Sequence, residues 1–170
     1  MSSFNKLQFA NHDAEIYGID VSSKVTLWDN GRYGRGVVNG TVGWLHGKTT
    51  DTPQHHLYHM MPLNGQISLE HTLNRWVSAA ELQLIGSKVD VDPLRNEPKT
   101  AGYGLINLRT GYHWSSLSID FGIENLFDKQ YYPPLGGVNF DDYMKSGWSS
   151  RIQPLAGLGR SFNVGVNWKF

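Results

Sequence analysis

From Ser161 to Phe170 the chain alternates without a break: Phe162, Val164, Val166, Trp168 and Phe170 fall on one parity, and Ser161, Asn163, Gly165, Asn167 and Lys169 on the other. Successive side chains of a strand point to opposite faces, so only a strand sorts these residues into an apolar and a polar side; a helix would scatter them around its axis. The pattern recurs upstream. Leu117, Ile119, Phe121 and Ile123 oppose Ser118, Asp120, Gly122 and Glu124, and Ile106, Leu108, Tyr112 and Trp114 oppose Asn107, Arg109 and His113. Trp76, Ala80, Leu82 and Leu84 oppose Glu81 and Gln83, while Leu63, Ile67, Leu69 and Leu73 oppose Gln66, Ser68, Glu70 and Thr72. Val38, Val42 and Trp44 oppose Asn39 and Thr41, and Tyr17, Ile19, Val21, Val25 and Leu27 oppose Asp20, Ser22, Lys24 and Thr26.

With a partial strand near Phe4 to Phe9, the alternation predicts about eight antiparallel strands of ~10 residues, the length that crosses a bilayer as a tilted strand. Tight turns are expected at Asp29-Asn30-Gly31, Asn74-Arg75 and Ser115-Ser116, where the residue types favour them. Long loops are expected near 47–62, 89–101 and 128–159. Short turns at one end and long loops at the other are the plan of an outer-membrane barrel, with turns in the periplasm and loops outside. If Phe170 ends on the periplasmic side, Trp28, Trp76, Trp114 and Trp168 all fall at that level. An indole, with an apolar ring and one N–H, is best placed at such an interface.

Composition narrows the classes further. Fifteen basic residues balance fifteen acidic ones, so no charge asymmetry points to nucleic acid. Cysteine is absent, which removes disulfide frameworks and thiolate sites. The 19 glycines and six tryptophans suit a turn-rich β-protein. No run approaches the ~20 apolar residues of a membrane helix. Met1 to Lys6 carry no export signal, so the sequence read by itself predicts a chain that is not exported alone.

Four segments carry a family resemblance. Glu124-Asn125-Leu126-Phe127-Asp128-Lys129-Gln130-Tyr131 resembles the penultimate strand of TonB-dependent outer-membrane receptors, and Gly159-Arg160-Ser161-Phe162 through Phe170 resembles their last. Ala14-Glu15-Ile16-Tyr17-Gly18-Ile19-Asp20 and Thr100 to Arg109 are similar to two further family patterns, in the right order. The resemblance implies an all-β fold: an antiparallel transmembrane β-barrel segment of about seven to eight strands, with short periplasmic turns and long extracellular loops. It makes residues 1–170 the C-terminal portion of a plugged barrel of roughly 22 strands, with the plug domain absent from this chain. The implied partners are outer-membrane lipid, the barrel assembly machinery, the remainder of the barrel and its plug, a metal ion or metal chelate, and TonB, contacted only through the N-terminal part. The implied location is the outer membrane of a Gram-negative bacterium. Phe162, Val164, Val166, Trp168 and Phe170 would be the assembly signal.

Two clusters are candidate ligand sites. His55, His56, His59, Met60 and Met61 put imidazoles and thioethers into one expected extracellular loop, a donor set that suits copper; the plain alternative is a solvated loop leading into the next strand. Leu135, Gly136 and Gly137, after Pro133-Pro134, are similar to a segment of copper-type family members, and are otherwise a glycine turn. Copper or a ferric siderophore is the cargo this implies. The alternating positions place Asp20, Lys24, Glu70, Glu81, Arg109, Asp120, Glu124 and Lys169 toward the lumen. No nucleophile elbow, phosphate loop or metalloprotease helix occurs, so neither catalysis nor a cofactor is expected. The competing readings are a complete eight-stranded barrel with a structural or adhesive role and a soluble ligand-binding barrel with an apolar interior.

Overall fold

The computed structural model describes residues 11–51, 56–92, 95–147 and 152–170. Seven strands follow one another: β1 (Ala14–Asn30), β2 (Gly34–Thr49), β3 (Asn64–Leu73), β4 (Trp76–Ile85), β5 (Tyr103–His113), β6 (Leu117–Glu124) and β7 (Ser161–Trp168). One short helix, α1 (Phe140–Lys145), lies between β6 and β7 and is capped by Asn139. Among the described residues the strands form one antiparallel sheet in sequence order, not closed on itself. The strand expected near Phe4 to Phe9 lies outside the described residues.

Register converts the alternation into two faces. Direct partners align Val25, Val38, Leu69, Ala80, Leu108, Ile123 and Phe162 in one row across all seven strands. The neighbouring row, on the opposite face, is Thr26, Val37, Glu70, Ala79, Arg109, Gly122 and Asn163. The polar face is cross-linked by side chains. Glu81 accepts hydrogen bonds from Gln66 at 2.7 Å and Asn107 at 2.9 Å, and Asn39 donates to Glu70 at 3.1 Å. On the last strand pair, Asn163 donates to Glu124 at 3.1 Å.

Among the described residues only Val37, Ile85 and Leu105 are buried hydrophobics, whereas Ile19 is 63% and Val164 71% exposed. A large apolar side chain left in water forgoes about 1.5–3 kcal/mol of burial. A sheet with a whole apolar face bare is therefore built for an apolar surrounding, and its backbone is satisfied by the ladder itself. Among the described residues no helix is long and apolar enough to cross a membrane.

One departure from strict alternation has a clear cause. By parity, Trp28 belongs with Lys24 and Thr26 on the polar face. The β1–β2 register shifts between Thr26 and Trp28, leaving Leu27 as the extra residue and pairing Trp28 with Gly36. Gly36 shares its row with His71 and Ser78, on the apolar side. The bulge thus turns Trp28 to the apolar face, where its ring lies 6.0 Å from that of His71 and covers Gly36 so closely that a Cβ there would fall 2.3 Å from the indole.

The two rims differ as the sequence implies. At one, Asn30 accepts from the backbone N–H groups of Arg32 and Tyr33, Asn74 turns the β3–β4 hairpin at φ 54°, and Trp114 N–H donates to Leu117 O at 2.7 Å. Trp76 packs edge-on to Tyr112 at 5.0 Å, and Tyr112 meets Trp114 at 4.5 Å, while Trp168 pairs with Leu117 on the same rim. The other rim carries the connections 50–63, 86–102 and 125–160. β6 and β7 are eight residues each, shorter than expected. β6 stops because Asn125 takes a left-handed φ of 50° and breaks the extended run.

Candidate functional site

The long-loop rim gathers the candidate residues. Past β2 the chain folds back along its own strand: His56 bridges to Lys48, and Leu57 N–H donates to Gly47 O at 3.1 Å. Gly47 makes room for this return, because a Cβ there would lie 2.8 Å from both Leu57 Cδ1 and Met60 Cε. The result is a hollow of about 200 Å³ whose walls include His46, His56, Met60, Met61, Lys88 and Asp90. His46 Nδ1 lies 3.8 Å from Asp90 Oδ2, and His56 Nε2 3.7 Å from Asp90 Oδ1. The two imidazoles meet edge to face, centroids 6.2 Å apart.

The expected cluster is therefore divided. His56, Met60 and Met61 share the hollow, but His59 does not line it. His59 takes a left-handed φ of 60° and stacks its ring on Tyr58 at 4.1 Å, while Arg95 lies over the other ring at 5.1 Å. His55 lies outside the described residues. Two members were not expected, His46 and Asp90. His46 reads as one more strand residue in the alternation, and Asp90 as one more loop carboxylate, so neither carries a local signal. Among the described residues no three imidazole or carboxylate groups are already closed to the spacing of a preformed metal centre.

Beside the hollow, three long loops are tied together by an ion pair that sequence reasoning also missed. Lys88 Nζ donates to Glu97 Oε1 at 2.5 Å and to Pro134 O at 3.1 Å. Glu97 in turn accepts from His59 N–H at 2.9 Å and Asp92 N–H at 2.8 Å. Burial pushes the Glu97 carboxyl up, but the Lys88 hydrogen bond, the two backbone donors and the Lys88 charge outweigh it and hold the group below its ordinary value. Gly136 N–H closes a turn onto Pro133 O at 2.9 Å, and Gly137 O receives Leu155 N–H at 2.9 Å. The Leu135-Gly136-Gly137 segment is thus a structured turn whose neighbour, Pro134, is bound to Lys88.

The Asn125 to Lys129 motif is structural. The Asn125 side chain, 3% exposed as a residue, donates to Lys129 O and Leu158 O and accepts from Lys129 N–H. Asp128 Oδ1 accepts from Arg160 N–H at 2.8 Å, fixing where the chain re-enters β7. On β7, Phe162, Val164, Val166 and Trp168 are all more than 60% exposed on the apolar face, and Phe170 follows the strand end.

No protein-family profile matches the chain, and no curated protein sequence matches it. Solved structures do. Over 94% of its length the chain superposes on the copper transporter OprC with a TM-score of 0.79 at 20% identity. Over 92% it superposes on the ferric yersiniabactin uptake receptor FyuA from Yersinia pestis, with a TM-score of 0.67 at 14% identity. The chain spans 24% of the length of either protein. At these identities the likeness shows the fold: this is a stretch of antiparallel β-barrel wall. The observed all-β antiparallel sheet is the fold the motifs implied.

Proposed function

We propose that the chain is the closing portion of the barrel of a TonB-dependent receptor in the outer membrane of a Gram-negative bacterium, and that the intact receptor takes up a metal ion or metal complex. The observation that carries this is the seven-stranded sheet with one bare apolar face, one polar face and loops gathered at a single rim, superposable over 94% of its length on a copper transporter. A lipid-facing wall and a water-facing lumen are what those two faces serve. In this reading Phe162, Val164, Val166, Trp168 and Phe170 present the final strand to the barrel assembly machinery. The plug and TonB belong to the rest of the receptor. The cargo is copper or a ferric siderophore, and no catalysis is involved.

Two measurements test it. The DNA upstream of the Met1 codon, translated in three frames, is expected to encode further alternating strands and a plug; a promoter and non-coding gap there would favour the small eight-stranded barrel instead. The intact receptor expressed in an outer membrane should then accumulate radioactive copper or iron from a ferric siderophore only when TonB is present. Accumulation no greater than in cells lacking the receptor would overturn the uptake reading.

A further inference from the structure

Two imidazole nitrogens from separate segments face the two oxygens of one carboxylate at the long-loop rim: His46 Nδ1 at 3.8 Å from Asp90 Oδ2 and His56 Nε2 at 3.7 Å from Asp90 Oδ1. Both separations exceed a hydrogen bond but lie within ion-pair reach, so one carboxylate draws two imidazoles to itself without closing a hydrogen bond to either. Ligands bound to one ion at about 2.0–2.2 Å stand roughly 3–3.6 Å from each other, depending on geometry. The observed gaps are a few tenths of an ångström wider than that. Among the described residues, His56 also keeps a buried Nδ1 with no hydrogen-bond partner.

We propose that His46, His56 and Asp90 close around a copper(II) ion, with a thioether from Met60 or Met61 as its weak axial ligand. The inference deepens the uptake reading and rests on it for the cargo, but it adds two ligands, His46 and Asp90, and removes His59. Tetragonal nitrogen and oxygen donors with a long thioether contact are a copper(II) preference. The hollow, at about 200 Å³, has room for an ion and its remaining waters. Lys88 also lines it, yet its ammonium is bound to Glu97 and Pro134 O, which offsets its repulsion of a cation. The loops that bring His56 and Asp90 to β2 are held by that same pair, so the site is assembled by tertiary contacts.

The test uses the intact receptor purified in detergent micelles and titrated with copper(II) sulfate, read by electron paramagnetic resonance. A single copper with two nitrogen donors is expected. His46→Ala and His56→Ala should each weaken binding at least tenfold and reduce the nitrogen count to one. His59→Ala should leave both unchanged. Unchanged heat-modifiable gel mobility in each variant establishes that the sheet still forms, and His46→Asn serves where alanine does not fold. An unaltered spectrum in the His46 variants, or an equal loss in the His59 variant, would overturn the site. Zinc sulfate displacing copper at equimolar concentration would overturn the copper assignment. The two failures are separable: the uptake reading falls on a null accumulation assay with the unmutated receptor, and the site falls on the His46 spectrum.

Discussion

Lys88 and Glu97 form an ion pair with side chains only 2% and 3% exposed, at the meeting point of all three long loops. Lys88 belongs to the β4–β5 loop and reaches Pro134 of the β6–β7 loop, while Glu97 reaches back to His59 of the β2–β3 loop. Removing one partner strands a charge that water no longer solvates, at a cost on the order of 3–5 kcal/mol. Glu97→Gln or Lys88→Met should therefore loosen all three loops together and leave the ladder intact. Limited proteolysis in micelles should show faster cleavage within 50–63, 86–102 and 125–160. Faster cleavage confined to 86–102 would show that the pair fastens only its own loop.

The same pair sets a pH dependence. Because Glu97 titrates below its ordinary value when folded, the unfolded chain takes up its proton first as pH falls. The contribution is full above the ordinary carboxylate range and is lost as pH drops through the folded value. Loop cleavage by an acid-tolerant protease should be flat near neutrality and rise only in acid. In Glu97→Gln that rise should vanish.

Asn125 supports its turn with three side-chain hydrogen bonds. At about 1 kcal/mol each, and with its left-handed φ disfavouring most replacements, Asn125→Leu should destabilise the protein by roughly 3 kcal/mol. The readout is the urea midpoint in micelles, with Phe127→Ala as a comparison at an exposed site. Equal midpoints for the two variants would show that the motif has no structural role.

Trp28 covers Gly36 after the β1 bulge. Gly36→Val should push the indole off the face and cost about 1–3 kcal/mol of overpacking. The expected sign is a changed tryptophan emission spectrum with a lower unfolding midpoint. A variant indistinguishable in both would mean that the ring readily finds another seat.

The bare apolar face also fixes behaviour in water. Without lipid or detergent the chain should associate, since apolar rows and unpaired strand edges are open to other copies. Size-exclusion chromatography in plain buffer should give aggregates, and a sharp monomer peak would count against the membrane-facing assignment.

The sequence by itself determined the strands, their two faces and the difference between the rims. Period-two alternation is local, and each turn is fixed by residues such as Asn30 and Asn74 within a few positions of it. It also placed Asn125 and Asp128 in a family motif, without showing that they hold a turn. Tertiary structure decided the rest. The bulge that moves Trp28 to the apolar face depends on Gly36 across the pair. His59 left the expected cluster because its backbone was drawn to Glu97, 38 residues away. His46 entered it because the loop after β2 folds back onto Gly47, and Asp90 because the next loop meets it there. Such meetings depend on loop closure and buried charge, which couple residues far apart in the chain and leave no period in the sequence to read.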